Sequence, residues 1–234
     1  MKIIKSEIED VLLIEPTVFG DDRGYFFESF NEARFRRETG LEVSFVQDNE
    51  ARSSYGVVRG LHYQLPPYAQ AKLVRVVVGR VYDVVVDIRR SSPTFGRSLA
   101  IELSADNKRQ LYIPKGFAHG YAVLSDEAVF QYKCDAYYHP EAEGAIAWDD
   151  PALGIAWPIA AEEAILSEKD KHTIPTYANG FLLSTAAAAR FHLLTNPASP
   201  GTPIRPIPLK VKVQNTIGIF QPSPSMSKIY FFPV

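Results

Sequence analysis

Cysteine is almost missing from this chain: Cys134 stands alone among 234 residues. That excludes an internal disulfide framework and fits a reducing compartment. There is also no uninterrupted apolar run of about 20 residues, which a membrane-spanning helix needs. The N-terminal stretch Met1-Lys2-Ile3-Ile4-Lys5-Ser6-Glu7 returns to charge too soon for a secretory signal. Positive charge is not in excess either; 25 basic against 27 acidic residues leave a net charge of −2. A broad basic footprint for nucleic acid is therefore lacking. What is present is 46% hydrophobic and 22% charged residues, the composition of an ordinary globular protein large enough for one well-buried domain. The expectation is a cytoplasmic domain acting on something small, with no nucleic-acid and no membrane partner.

Acidic residues have a local absence of their own. None occurs in residues 186–234, which hold five basic residues and eight of the 17 prolines. Residues 1–185 carry twenty basic and 27 acidic residues, a net of −7. The composition divides the chain into a domain over 1–185 and a Pro-rich, acid-free C-terminal extension over 186–234 of open role.

Within 1–185 the hydrophobic period is two far more often than 3.6. Val57 to Gln64 alternates and is rich in β-formers. Leu73 to Val78, Gly79-Arg80 and Val81 to Ile88 read as a β-hairpin with a two-residue turn. Ser98 to Leu103, Gln110 to Ile113, Tyr121 to Leu124 and Ala128 to Asp135 add four short strands. Their spacing is that of an all-β sandwich or barrel. Asn31 to Thr39 reads as a helix, with Asn31 as N-cap, Glu32 in its first turn, Arg36 and Arg37 near its end and Gly40 as its stop. A second helix is expected within Ala160 to Ser167. The fold class is all-β, a cupin-like jelly-roll barrel with a few short peripheral helices.

Chemistry must come from polar residues on these strands. Regular alternation sends Val58, Gly60, His62 and Gln64 to one face and Val57, Arg59, Leu61 and Tyr63 to the other. Gly60 beside a histidine and a glutamine reads as room for a ligand, with a buried, hydrogen-bonded core histidine as the competing reading. Tyr132 shares a face with Phe130 and Cys134. A metal-binding cupin would show His-x-His with a nearby glutamate; here the second position is Gln64, and Leu65 to Ala69 hold no carboxylate. Cys134 on an apolar strand is a poor nucleophile, because burial raises a thiol pKa.

Nine ordered motifs carry a more specific message. They are Asp21-Asp22-Arg23-Gly24-Tyr25-Phe26-Phe27-Glu28, Gln47-Asp48-Asn49, Gly56 to Gln64, Ala71-Lys72 and Ser92-Pro93-Thr94-Phe95-Gly96. Ile113 to Gly120, Tyr132-Lys133-Cys134, Trp148-Asp149-Asp150-Pro151 and Leu166 to Asp170 follow. Over about residues 1–183 the chain resembles the dTDP-4-dehydrorhamnose 3,5-epimerase family.

The resemblance implies a dTDP-linked 4-keto-6-deoxyhexose as substrate and inversion of C3 and C5, without nicotinamide, metal or other cofactor. It makes His62 the general base, Asp170 its partner carboxylate, Tyr132 the acid on the opposite face and Lys72 the cation for the enolate oxygen. It implies substrate contacts at Arg23, Glu28, Gln47, Asp48, Asn49, Arg59, His119, Glu143 and Lys169, and thymine-stacking aromatics at Phe26 and Tyr138. It also implies a homodimer. Two alternatives stay open: an epimerase of C3 alone or C5 alone, and a nucleotide-sugar-binding cupin without turnover. Regular alternation would part Arg59 from His62, so either Gly60 marks a bulge or Arg59 serves a neighbouring subunit.

Overall fold

The computed structural model describes residues 1–173; the extension over 186–234 lies outside the described residues. In chain order the described strands are β1 (Lys2–Lys5), β2 (Leu12–Glu15), β3 (Phe19–Asp21), β4 (Gly24–Phe26), β5 (Gln47–Ser54), β6 (Val58–Gln64), β7 (Lys72–Val78), β8 (Arg80–Asp87), β9 (Ser98–Ser104), β10 (Gln110–Ile113), β11 (Phe117–Val123), β12 (Glu127–Cys134) and β13 (Glu143–Ala145). Two α-helices accompany them, α1 (Glu32–Thr39) and α2 (Glu168–Lys171).

The strands form two antiparallel sheets, in the orders β1-β2-β10-β7-β12-β5 and β13-β6-β11-β8-β9, with β3 and β4 as a separate ribbon. Val74, Val76, Leu111, Ile113 and Phe130 of the first sheet pack against Val81, Val85, Leu103, Phe117, Tyr121 and Val123 of the second. The expected all-β, cupin-like jelly roll is therefore present, as two facing sheets. Phe130 is 1% exposed, and truncating such a core phenylalanine costs about 3–5 kcal/mol.

The expected β-hairpin over 73–88 is corrected. β7 pairs with β10 and β12, whereas β8 pairs with β11 and β9. Both strands bury one apolar face in the same core, so they meet face to face instead of edge to edge. Gly79 turns the chain between sheets at φ 73°, where an added Cβ would lie 2.0 Å from the Glu127 carbonyl oxygen. The helix expected within 160–167 is also corrected. That stretch makes turns and a single parallel bridge, Ile165 to Val57. Ser167 caps α2 instead, its Oγ accepting from the Asp170 amide at 3.2 Å.

Helix α1 forms where its caps predict. The Asn31 Oδ1 accepts from the Arg34 amide at 3.0 Å, and Gly40 closes the helix at φ 72°. Its buried Phe35 covers the outer face of the first sheet through Leu12, Ile14, Leu73 and Tyr112. The inner face is left free for polar groups where the apolar core ends.

The Ser92-to-Gly96 motif has a structural use. Asp87, fully buried, accepts from Arg89 Nε at 2.9 Å, Arg89 Nη2 at 2.7 Å, Ser92 Oγ at 2.6 Å and Thr94 Oγ1 at 2.6 Å. Burial pushes its carboxyl up, but these donors and the Arg89 amide outweigh it and bring the pKa down to about 2. An unfolded aspartate titrates near ~3.9, so the clip contributes on the order of 2–3 kcal/mol above pH ~4 and loses it as pH falls towards 2. Asp87→Asn is expected to lower the urea midpoint at pH 7, with the gap from wild type narrowing steadily between pH 5 and pH 3. A gap that is constant with pH would contradict this account.

Candidate active site

The two sheets place polar groups opposite each other in a cavity of about 380 Å³. Gln47, Asn49, Lys72 and Tyr132 come from the first sheet. His62, Gln64 and Glu143 come from the second, and Tyr63, Gln70 and Tyr138 complete the lining. Cys134 pairs with Lys72 across β12 and β7, and Tyr132 pairs with Asn49 across β12 and β5. The Lys72 Nζ lies 5.8 Å from the centre of the Tyr132 ring.

The strand carrying His62 departs from regular alternation. His119 of β11 lies opposite His62, but Tyr121 lies opposite Arg59, so Gly60 and Leu61 together face the single residue Gly120. This bulge is the first of the two alternatives set by the sequence. It turns Arg59 and His62 to the same inner face and sends Val58 and Leu61 outward. The outward side chains pack in apolar clusters, Leu61 with Val84, Val86 and Ile146. Gly60 is thus not room for a ligand, as its sequence context suggested. At φ 125° an added Cβ would lie 2.5 Å from the Gly120 Cα, and a Cβ on Gly120 would lie 2.5 Å from the Arg59 carbonyl oxygen.

His62 is held from behind by α2. Its Nε2 donates to Asp170 Oδ1 at 2.6 Å, and Asp170 is 5% exposed. With that nitrogen donating, the neutral ring carries its free lone pair on Nδ1. Ser167 Oγ donates to Asp170 Oδ2 at 2.9 Å. Burial pushes the Asp170 carboxyl up, yet the bond and charge of His62, the Ser167 hydroxyl and the Lys169 charge outweigh it and hold it below the ordinary range. The carboxylate is delivered here because Ile165 bonds to both sides of Val57: its amide donates to the Gly56 carbonyl at 2.8 Å, and its carbonyl accepts from the Val58 amide at 3.0 Å.

The other groups are tuned by burial. The Lys72 ammonium is depressed by desolvation, opposed by the charges of Asp83 and Glu143. The Tyr132 phenol is pushed up, mainly by desolvation, with Arg59 as the cation that opposes the rise. It therefore holds its proton at neutral pH. Cys134 is pushed up to about 11, again mainly by burial, which leaves it a protonated thiol. Among the described residues no group of three or more His, Cys, Asp or Glu side chains is placed to hold a metal ion.

The remaining candidates divide by location. Glu143 joins the cavity wall to α2: its Oε2 accepts from the Tyr138 hydroxyl at 2.7 Å and its Oε1 pairs with the Lys169 ammonium. His119 is buried beside the cavity, its Nε2 donating to Asp83 at 2.9 Å. Asp83, a fully buried carboxylate inside an apolar strand, was missed by the sequence reading, although a charge amid Val81 to Val86 was a visible signal. Gln70 was missed as a cavity residue too, and Gln64, read on the ligand face beside His62, was left out of the candidate contacts. Asp48 points to the outer face of the first sheet and pairs with Lys133 at 2.9 Å. Arg23 and Phe26 sit on the exposed β3–β4 ribbon, where Arg23 pairs with Asp21. Glu28 bonds Asn31 at 2.9 Å near the start of α1. The single chain does not bring these four into the cavity.

A family model described as dTDP-4-dehydrorhamnose 3,5-epimerase matches residues 5–196. A dTDP-4-dehydrorhamnose 3,5-epimerase of Shigella flexneri is 58% identical over 170 residues, covering 73% of this chain and 93% of its own. A crystal structure from Legionella pneumophila, a dTDP-6-deoxy-D-glucose-3,5-epimerase in complex with dTDP-4-keto-L-rhamnose, has a TM-score of 0.74 and 49% identity. It covers 80% of this chain and 96% of its own. A 3'-monoepimerase from Streptomyces bikiniensis, in complex with dTDP-quinovose, has a TM-score of 0.70 at 34% identity, covering 80% of this chain and 95% of its own.

The bulge makes a prediction of its own. Gly60→Ala must accommodate a left-handed backbone and a contact that forces β6 from β11, each costing about 1–3 kcal/mol. The variant should show a clearly lower denaturant midpoint than wild type with an unchanged slope. A midpoint equal to that of wild type would contradict the close approach of Gly60 and Gly120.

Proposed function

The chain belongs to the dTDP-4-dehydrorhamnose 3,5-epimerase family, and from that premise we propose that it inverts C3 and C5 of dTDP-4-dehydro-6-deoxy-D-glucose. The product is dTDP-4-dehydro-L-rhamnose, a precursor of dTDP-L-rhamnose. The observation that carries the reading is the placement of His62 and Tyr132 on opposing sheets around one cavity. The likeness to a 3,5-epimerase at 58% identity, against 34% for a 3'-monoepimerase, favours two inversions over one.

C3 and C5 both neighbour the C4 ketone, so each C–H proton is acidified by enolate formation. In the proposed mechanism the His62 Nδ1 lone pair takes the proton. The C–H electrons form the C=C bond as the carbonyl pair moves onto oxygen. Asp170 orients the ring and stabilises the imidazolium that forms, the logic of a catalytic triad. The Lys72 ammonium receives the enolate oxygen, an arriving negative charge that offsets the cost of burying its own. The enolate oxygen pair then re-forms the carbonyl as the C=C electrons take the phenolic proton of Tyr132 at the opposite face of the carbon, and the Arg59 charge favours the phenolate left behind. After each inversion His62 gives its proton to solvent and the Tyr132 phenolate takes one back, so the atoms balance for both carbons without a cofactor.

Tyr138 is proposed to stack on thymine, with Gln47, Asn49, Arg59, Glu143 and Lys169 around the nucleotide and His119 beside the sugar. Arg59 has the fork geometry for diphosphate oxygens. The reading extends to a cytoplasmic homodimer. Phe26, 71% exposed, and Arg23 stand on a ribbon apart from the cavity, and among the described residues β5 ends its sheet with one unpaired edge. The same ribbon from a second copy would bring those two residues to the nucleotide, and light scattering should return about twice the 26.1 kDa of one chain.

Turnover in heavy water with the keto-sugar nucleotide tests the function. Deuterium should enter both C3 and C5. Entry at one carbon alone would indicate a monoepimerase, and dTDP binding without any exchange would indicate a binding module. His62→Ala should lower exchange at both carbons by about 10²–10⁴-fold, with dTDP affinity retained. Exchange that persists in this variant would remove His62 as the base.

A further inference from the structure

We infer that Gln64 is a positioning residue that sets the Tyr138 ring over the cavity, by clamping the loop on both sides of that residue. The inference rests on the proposed reading of the cavity as a dTDP-sugar site. Residues 136–139 follow β12 and have no regular secondary structure. A stacking ring on such a segment needs its backbone fixed, and three glutamine side chains do this. Gln70 Nε2 donates to the Ala136 carbonyl at 2.8 Å. Gln64 Nε2 donates to the Tyr137 carbonyl at 3.4 Å and to the Tyr68 carbonyl at 2.7 Å. Gln47 Oε1 accepts from the Tyr138 amide at 3.1 Å, and Gln64 Oε1 accepts from the His139 amide at 2.7 Å.

Gln64 has the central place among the three. It is 8% exposed, and both its amide hydrogens and its oxygen are engaged by backbone, so it offers no free donor to a ligand. It lies two residues from His62 on the same strand, and its partner across β13 is Glu143. Glu143 in turn receives the Tyr138 hydroxyl at 2.7 Å. The aromatic is thus fixed at its backbone and at its ring tip by two residues paired in one register. The stack of Tyr68 on His139, 3.6 Å between ring centres, closes the far side of the clamp. Only a primary amide donates to two carbonyls while accepting from an N–H. A glutamate would turn an acceptor oxygen on both carbonyl oxygens, and a methionine would leave all three backbone groups unpaired.

A double-mutant cycle on the full chain, read by calorimetric titration with dTDP, tests the inference. Gln64→Glu should raise Kd for dTDP at least tenfold, and the loss should appear in KM more than in kcat. With Tyr138→Ala in the background, the same change should raise Kd less than threefold, because the ring it positions is gone. An equal factor in both backgrounds, or a Gln64→Glu variant that binds like wild type, would overturn it. Should Gln64→Glu fail to fold by circular dichroism, the same cycle with Gln64→Met decides by the same outcomes. A wild type that fails to bind dTDP removes the functional reading and this inference with it; wild-type binding with equal factors removes this inference alone.

Discussion

Two packed β-sheets stand about 10 Å apart, and side chains on their inner faces point at one another across that gap. Where the apolar filling of Val74, Val85, Leu111 and Phe130 gives way to polar residues, the same spacing leaves a cavity of about 380 Å³. Everything else in the site follows from this opposition. A base on one sheet and an acid on the other reach opposite faces of a flat enolate, which no single sheet face or helix end provides. In the proposed mechanism His62 and Tyr132 hold those two places, and Lys72 lies on the same sheet as the phenol.

The opposition depends on supports that contribute no chemistry themselves. The bulge at Gly60 brings Arg59 to the inner face with His62. The short helix α2 seals Asp170 behind the imidazole, so the ring presents Nδ1 and not Nε2 to the cavity. Burial keeps the phenol protonated and depresses the ammonium, and in each case a nearby opposite charge limits the shift. The groups are thus set before substrate arrives, the condition under which fixed charges are most effective at a developing enolate.

Much of this was legible in the sequence, for identifiable reasons. Strands with one apolar face, such as β12, alternate and were read directly, and α1 was read from Asn31 and Gly40. The polar strand β5 was not read, because its residues Gln47 and Asn49 line the cavity and not the apolar core. The link between β7 and β8 looked like a hairpin since Gly79 suits a tight turn as well as it suits a passage between sheets; only the pairing distinguishes them. His62, Lys72, Tyr132 and Asp170 came from motif resemblance, and the fold gathers all four. Asp48, Arg23, Phe26 and Glu28 came the same way and lie elsewhere in the single chain. The glutamine frame around 136–139 carried no local signal, as its bonds join residues up to 91 positions apart.

The two-sided chemistry is tested most directly by Tyr132→Phe acting on the keto-sugar nucleotide in heavy water, with deuterium content and configuration read by NMR. With the base intact and the opposite acid removed, the account predicts deuterium at the carbons beside the ketone in material that keeps its starting configuration, with little epimer formed. Epimer yields close to those of wild type would contradict it.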